Sequence, residues 1–329
     1  MDEWLKFTLQ QMQSQHLFDH INGGFYRYTV DPEWQTPHFE KMLYDNAQLL
    51  EVYALAATIW QEPSFLQTAE QTLHYLREQL YQPQLQLYLG SQSALDNQGI
   101  EGGSYLWSRA QLHNTLSAEA FATVQQAWSL DSAPPYPEGW HPMPTAQHWP
   151  EIQSTLKHAR IQQIPTDNKA ILAWNGLLLS ALNRVSELPQ AQRQPYRHLS
   201  QAATYAHELA ASIQNKLATA ARAYIWDKQL LTLEPANLED YAYVYQGLAA
   251  HLKAAEQSNL ATLIQAQFLT PQGWRYRTDS KETHQLMIDD AVPSPTATLR
   301  CLVSDLTLST DIKQQPLNYA TYLQPQLCD

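Results

Sequence analysis

Carboxylates, a histidine and a lysine stand just ahead of an apolar stretch, and these residue types are those that proton transfer requires. In "TPHFEKMLYDN", His38, Lys41 and Asp45 follow one another at spacings of three and four. This spacing predicts one face of a helix, with Glu40 and Tyr44 on the adjacent line. An imidazole among carboxylates can act there as a general acid or base.

Three further polar groups stand at the same position relative to a later apolar stretch. They are Asp167, Lys169, Trp174 and Asn175 in "TDNKAILAWNG", Glu239, Asp240, Tyr241 and Tyr243 in "NLEDYAYVYQG", and Asp289 and Asp290 in "DDAVPSPTA". If the helices that follow run parallel in a ring, the four groups meet at one rim, as an acid–base site needs. The candidate catalytic residues are therefore His38, Asp45, Asp167, Asp240 and Asp290.

A structural explanation competes with this one for each acid. Acids in a first helical turn complement the helix dipole, and Asn237 and Asp240 have the spacing of a capping box. His38, Lys41 and Asp45 would equally form a local salt-bridge ladder. Sequence alone leaves these alternatives open.

The segment "INGGFYRYTVDP" adds a turn and candidate ligand contacts. Gly23 and Gly24 predict a turn that needs positive φ or close approach. Arg27, between two tyrosines, either stacks on them or clamps an anionic or hydroxylated ligand. The candidate substrate-binding residues are Arg27, Tyr28, Glu40, Lys41, Tyr44, Lys169, Trp174, Asn175, Tyr241 and Asp289.

The helices that the sequence periodicity predicts must position these residues. Amphipathic helices alternate with helices that are apolar nearly all round, and stacking such pairs predicts an all-α helical barrel, with an open solenoid as the alternative. The predicted pairs are 168–186 with 195–217, 239–255 with 258–267, and 295–309 with 313–326. Thr36 and Pro37 are expected to begin the first buried helix, and 222–230 and 273–280 to form small hairpins or extended loops. Residues 1–329 are expected to be a single domain, with a proline-rich loop at 129–150.

Charge and composition exclude several classes of function. A net charge of −12 without a basic stripe argues against nucleic acid, and the longest apolar run, "ILAWNGLLLSAL", is too short to span a membrane. The N-terminus is not a signal peptide, and Cys301 and Cys328 indicate a reducing compartment without a disulfide framework, so a cytoplasmic location is predicted. No bound metal and no cofactor are expected, because the histidines lack ligand spacing and no phosphate or dinucleotide motif occurs.

Several blocks resemble one known family. "INGGFYRYTVDPEWQTPHFEKMLYDNAQLL" is similar to the signature of the spermatogenesis-associated thioredoxin-domain proteins, and "EGGSYLWSRAQL", "DNKAILAWNGLLLSAL", "LEDYAYVYQGL" and "DDAVPSP" resemble further blocks in the same order. The resemblance implies an (α/α)6 barrel of the six-hairpin glycosidase type, related in shape to N-acylglucosamine 2-epimerases. Family members normally carry an N-terminal thioredoxin-like domain, but this sequence has no Cys pair near its start and opens about one helix before the glycine motif. Either a stand-alone barrel or a part encoded elsewhere is therefore expected, with an incomplete first hairpin. Ala170 and Pro295–Thr296 depart from the family pattern.

Three functional hypotheses follow. The first is a carbohydrate-binding barrel that isomerises or epimerises free sugars, with His38 as base and Arg27 and the tyrosines holding hydroxyls. The second is glycoside hydrolysis by two of the rim carboxylates. The third is a non-catalytic scaffold or binding module that works with a separate thioredoxin-like partner. The expected ligand of the first two is a small sugar-like molecule.

Overall fold

Helices make up most of the structure, a computed structural model that describes residues 2–160, 164–285, 287–302 and 320–321. The helices are α1 (Asp2–Ser14), α2 (Leu43–Trp60), α3 (Pro63–Tyr75), α4 (Arg109–Thr115), α5 (Ala118–Ala127), α6 (Trp149–Ala159), α7 (Leu172–Glu187), α8 (Gln190–Arg193), α9 (Arg197–Ser200), α10 (Ala202–Leu217), α11 (Leu238–Leu248), α12 (Ala254–Phe268) and α13 (Pro295–Thr298). The predicted all-α class is confirmed.

Short strands lie between the helices. They are β1 (Tyr28–Thr29), β2 (Pro37–His38), β3 (Lys41–Met42), β4 (Tyr81–Gln82), β5 (Leu87–Tyr88), β6 (Ser91–Gln92), β7 (Thr166–Asp167), β8 (Ala170–Ile171), β9 (Ala221–Asp227), β10 (Gln229–Pro235), β11 (Leu269–Thr270) and β12 (Gly273–Trp274). A π-helical turn, Leu76–Leu80, continues α3, and a 3-10 turn, Arg300–Leu302, follows α13.

Two compact units share the chain. The first consists of residues 1–42, 52–80 and 91–167, and the second of 43–51, 81–90 and 168–329. Helix α2 contributes its first half to the second unit and its second half to the first. Because both units draw on separated stretches of sequence, neither can be read as one continuous segment. That 1–329 forms a single domain stays a prediction.

Extended backbone replaces the predicted start of the first buried helix. Thr29 pairs with Pro37 and Tyr28 with His38, while Lys41 pairs with Gln92 of β6, so the strand ladders use these backbone groups. Helix α2 therefore begins at Leu43, and Thr36 does not cap it. The predicted shared helix face of His38, Lys41 and Asp45 is wrong, because the first two lie on different strands.

A buried ion pair fixes the glycine turn of the first unit. Lys41 has no exposed surface; its Nζ donates to Asp19 Oδ2 at 2.6 Å and to the Gly23 carbonyl at 2.8 Å. Arg160 Nη1 lies 3.4 Å from the same carboxylate oxygen, and the Lys41 ammonium sits 4.3 Å from the centre of the Tyr75 ring. Burial lowers the pKa of Lys41 to about 8, although the Asp19 carboxylate opposes this. Lys41, predicted to bind substrate, is therefore placed in the core.

The turn at Gly23 and Gly24 has the predicted backbone conformation. Both residues have φ of +78°, and a Cβ on Gly23 would lie 2.3 Å from the Gln71 carbonyl oxygen. Only glycine avoids that overlap in this conformation. The turn consequently packs directly on α3.

Two parallel helices form the centre of the second unit. A Cβ on Gly176 of α7 would lie 2.7 Å from the carbonyl carbon of Tyr243, and one on Gly247 of α11 would lie 2.7 Å from the Gly176 carbonyl oxygen. The two glycines therefore let the backbones of α7 and α11 approach closely. The predicted hairpin at 222–230 is confirmed as β9–β10, which extends to Pro235 and joins β8 in a three-stranded sheet.

Other predicted boundaries shift or fall outside the described residues. The proline-rich loop ends at His148, since α6 begins at Trp149. The helix predicted over 195–217 is divided into two helices, α9 and α10. The predicted helix 313–326 lies outside the described residues apart from 320–321.

Cys301 is disulfide-bonded, so the expectation of no disulfide was wrong. Across the described chain, the helices are too short or too polar to span a bilayer.

Replacing the buried cation tests whether Lys41 is structural. Lys41→Met leaves the buried Asp19 carboxylate with the more distant Arg160 and the backbone N–H groups of Ile21 and Asn22. Because the closest cation is lost, we expect the free energy of unfolding to fall by about 3–5 kcal/mol. Lys6→Met, at a part-exposed pair 3.4 Å from Glu62, should cost about 0–1 kcal/mol. Urea unfolding monitored by circular dichroism gives both values. A Lys41→Met chain as stable as the Lys6→Met control would contradict the structural role.

Candidate functional site

His38 lies at the centre of a polar cluster in the first unit, which we call the His38 site: Arg27, Tyr28, His38, Glu40 and Glu101. The imidazole Nδ1 is 2.7 Å from Glu101 Oε1, and Nε2 is 3.8 Å from Glu40 Oε2. The Tyr28 ring stacks on the imidazole with centroids 5.0 Å apart. Arg27 Nη1 donates to Glu40 Oε2 at 3.1 Å. The strand pairing of β1 with β2 sets this arrangement, since Tyr28 and His38 are directly opposite.

Two glycines bring Glu101 to His38. Gly102 has φ of +75°, and a Cβ there would lie 2.8 Å from Leu106 and 2.9 Å from the Phe39 ring. A Cβ on Gly103 would lie 2.4 Å from Asp96 Oδ2. Asp96 in turn accepts hydrogen bonds from the backbone of Gln98 and Ile100 and closes the loop. The loop therefore packs against the residue that follows His38.

The Glu101 contact assigns a tautomer to His38. A carboxylate accepts hydrogen bonds, so Nδ1 carries a proton, and in the neutral imidazole Nε2 keeps its lone pair. This is the arrangement that orients a histidine base in other acid–base sites. At 3.8 Å, Nε2 and Glu40 are too far apart for a direct hydrogen bond. The side chains of His38 and Glu101 are 26% and 50% exposed, which leaves them accessible to a solute.

The starts of the four predicted buried helices are linked in a closed circuit within the second unit. Tyr44 of α2 contacts Trp174 of α7 with ring centroids 4.9 Å apart. Asp240 of α11 accepts a hydrogen bond from the Ala173 backbone of α7 at 3.0 Å. The last two contacts involve the residues before α13: Tyr243 donates to the Pro293 carbonyl, and Gln48 of α2 donates to the Ala291 carbonyl. The N-terminal parts of these helices and the residues before α13 are therefore joined by contacts, whereas the convergence of their polar groups on one rim stays a prediction.

Several polar groups at these helix starts serve the backbone. Asp240 forms the predicted capping box with Asn237 and also accepts from Ala173. Burial raises the pKa of Asp240 to about 7, against the lowering by those hydrogen bonds. Asn175 is fully buried; its amide donates to Tyr88 and Ile171 and accepts from Tyr88. Asp289 accepts from the Ser294 backbone at 2.7 Å. For these three residues the structural alternative accounts for the geometry.

The remaining candidates are divided between the units. Asp167 lies on β7 opposite Ser91, in the first unit, and is half-buried. Asp45 in the first turn of α2 and Lys169 before β8 are half-buried residues of the second unit, Tyr241 is buried against Phe268, and Asp290 is exposed. Of the five candidate catalytic residues, His38 and Asp167 belong to the first unit and the other three to the second. Their catalytic roles stay predictions.

Sequence reasoning missed Glu101. In "EGGSY" the acid stands directly before a glycine pair, but nothing in that pattern indicates His38 as its partner. Glu239 was named only as part of a helix start, and the structure gives it a partner, the Tyr276 hydroxyl at 2.9 Å.

A second group missed by the sequence analysis is a buried imidazole cluster of His16, His20 and His141. His16 Nδ1 lies 3.1 Å from His141 Nδ1, and the Tyr26 hydroxyl lies 3.2 Å from His141 Nε2. Burial lowers the pKa of His16 and of His20 to about 4, and it lowers that of His141 well below the usual value. These histidines are neutral at pH 7, which suits a structural hydrogen-bond network.

Fold and site together define an all-α protein in which a histidine on a strand hairpin is paired with a carboxylate on a separate loop. The chain has partial homology to spermatogenesis-associated protein 20: the rat protein is 35% identical over 113 residues, which are 33% of this chain and 14% of that protein. The resemblance is thus confirmed over one third of the chain. No family model matches the sequence.

Solved structures of two sugar-converting enzymes are similar to the chain at low identity. Cellobiose 2-epimerase from Spirochaeta thermophila is 13% identical, with a TM-score of 0.42 over 83% of this chain and 56% of that one. A D-mannose isomerase is 14% identical, with a TM-score of 0.39 over 98% of this chain and 84% of that one.

The buried imidazole cluster makes stability depend on pH. Because the folded-state pKa is lowered to about 4 while the unfolded value is 6.5, stability is fully present above pH 6.5. It is lost as pH falls from 6.5 to 4, by about 3 kcal/mol for one such histidine. Urea midpoints at pH 7.5, 5.5 and 4.5 measure this loss. His16→Asn should reduce the dependence, whereas His113→Asn, an exposed position, should retain it; equal slopes in both variants would refute the assignment.

Substituting Asp240 separates capping from catalysis. Asp240→Ala deprives the buried backbone N–H groups of Asn237 and Ala173 of their acceptor, so we expect a loss of about 2–5 kcal/mol in unfolding free energy. Asp290→Ala, at an exposed position beside the start of α13, should change stability by no more than about 0.5 kcal/mol. Thermal unfolding by calorimetry compares them. If Asp240→Ala and the Asp290→Ala control had the same melting temperature, the capping role would be wrong.

Proposed function

We propose that this protein is a sugar isomerase or epimerase that moves a proton by means of the His38 site. The observation that carries the proposal is the 2.7 Å hydrogen bond from His38 Nδ1 to Glu101, which leaves Nε2 as an accessible base. A histidine side chain is the most frequent general base in proton transfer, and here it would take a proton next to a carbonyl. The reaction is redox-neutral: the proton that His38 takes from carbon 2 exchanges with solvent at the enediol stage. A proton then returns to carbon 1 in isomerisation or, from a second donor, to the opposite face of carbon 2 in epimerisation.

The neighbouring residues suit a hydroxylated substrate. Arg27 donates to Glu40 and adds a positive charge to the site, and the exposed Tyr28 ring stacks on the imidazole. Glu40 Oε2 lies 3.8 Å from His38 Nε2. In this position it can accept a hydrogen bond from a substrate hydroxyl or pass a proton to water. Glu101 acts through His38 as a positioning residue. A cytoplasmic location and a separate thioredoxin-like partner remain predictions.

The direct test follows carbon-bound protons. The purified chain is incubated in deuterium oxide with free glucose, mannose and fructose, and proton NMR detects deuterium at carbon 2. We expect exchange with the wild type, and His38→Asn should reduce the rate by about 10²–10⁴-fold because the base is lost. Glu101→Gln should reduce it about 10–100-fold and shift the pH profile, because the imidazole loses its orienting carboxylate.

Controls distinguish this reaction from the alternatives. His284→Asn, at an exposed histidine of the second unit, should exchange carbon 2 at the wild-type rate. Cleavage of disaccharides without exchange at carbon 2 would favour the glycosidase hypothesis instead. Absence of both reactions, or full exchange by His38→Asn, would refute the proposed function.

A further inference from the structure

A polar cavity that shares no residue with the His38 site lies in the first unit. Its volume is about 260 Å³, and it is lined by Asn22 beside the glycine turn, by Gln71 and His74 of α3, and by Gln153, Ser154 and Lys157 of α6. We call it the Lys157 pocket. Gln71 and His74 are three residues apart, and Gln153 and Lys157 four apart, so each helix presents one face to the cavity.

The walls of the pocket are held by contacts already formed. Gly23 packs on the Gln71 carbonyl, where a Cβ would not fit. Lys41 Nζ donates a hydrogen bond to the Gly23 carbonyl at 2.8 Å. The Gln153 amide donates to the His20 carbonyl at 2.6 Å, which joins α6 to the same loop. Fixed walls lower the entropic cost of ordering the site around a ligand.

Lys157 supplies a charged donor at this cavity. Its Nζ lies 2.7 Å from His74 Nε2, so the ammonium donates one N–H to the imidazole and has two more to offer. Burial lowers the pKa of Lys157, with Glu78 and Asp19 opposing the effect. An anion bound beside the ammonium would favour its charged form.

The surrounding charges favour an anion. Three cations, Lys41, Lys157 and Arg160, interact here with two carboxylates, Asp19 and Glu78, a local excess of positive charge in a chain of net charge −12. The remaining polar groups, the amides of Asn22, Gln71 and Gln153, can each donate to and accept from hydroxyl groups. The volume suits a molecule of monosaccharide size, below that of typical drug-sized sites.

We infer that the Lys157 pocket binds a small hydroxylated anion, a phosphorylated or carboxylated sugar-like molecule, with Lys157 on the anionic group and the amides on the hydroxyls. This binding site does not depend on the proposed reaction at His38. Phosphate and carboxylate are the two sources of the same anionic chemistry, and the binding measurement distinguishes them.

Isothermal titration calorimetry of the whole chain at constant ionic strength tests the site with glucose 6-phosphate, gluconate, inorganic phosphate and glucose. We expect one of the first two to bind with a stoichiometry of one and more tightly than inorganic phosphate, and glucose to bind at least about tenfold more weakly. Tighter binding of glucose 6-phosphate identifies a phosphorylated ligand, and tighter binding of gluconate a carboxylated one.

Variants locate the binding. Lys157→Met should weaken the anion about 10- to 100-fold, because a charged hydrogen bond is lost. Ser154→Asp, at an exposed helix position, should weaken it comparably by repulsion and guards against misfolding of the first variant. Lys281→Met, an exposed lysine of the second unit, should bind as the wild type does. Binding that survives both pocket variants, binding lost equally in Lys281→Met, or no binding of either sugar anion would overturn the inference.

Discussion

The buried pair of Asp19 and Lys41 is the interaction on which the first unit depends. A fully buried lysine is costly unless its charge is compensated, and the 2.6 Å contact to Asp19 with the Gly23 carbonyl provides that compensation. Lys41 also belongs to β3, three residues after His38. One side chain thus ties the glycine turn, which borders the Lys157 pocket, to the strand segment that carries the His38 site.

The second unit depends on the close approach of two apolar helices, α7 and α11. Gly176 and Gly247 remove the side chains that would hold α7 and α11 apart, and the resulting contact places their N-terminal turns side by side. The N–H groups of those turns still need acceptors. Asp240 provides one for each helix, which explains why a carboxylate is buried there although burial raises its pKa to about 7. The acid is required by the packing itself.

Much of the helical framework could be predicted from the sequence, and the strands could not. Apolar stretches long enough to be helices and the cap spacing of Asn237 and Asp240 are local signals, so α7, α12 and the start of α11 were found within a few residues. The end of α11 was predicted too late, because the apolar pattern continues past Leu248. Strands of two residues, such as β2 and β3, have no periodicity to detect, because partners distant in sequence stabilise them. His38 and Lys41 were therefore placed on a helix, and the partnership of His38 with Glu101, 63 residues away, had no local signal.

The solvent exposure of a side chain and the type of its hydrogen-bond partner distinguish the acids that stabilise the fold from the groups that can transfer protons. Asp240 and Asp289, both at helix starts, accept hydrogen bonds from backbone N–H groups of the second unit. The His38 pair differs, because its hydrogen bond joins two side chains and both are partly exposed. An imidazole oriented in this way can change its protonation state without breaking a backbone contact, whereas protonating Asp240 weakens two helix starts. Proton transfer is therefore better suited to the strand hairpin than to the helix starts, where the spacing of acids in the sequence had first suggested it.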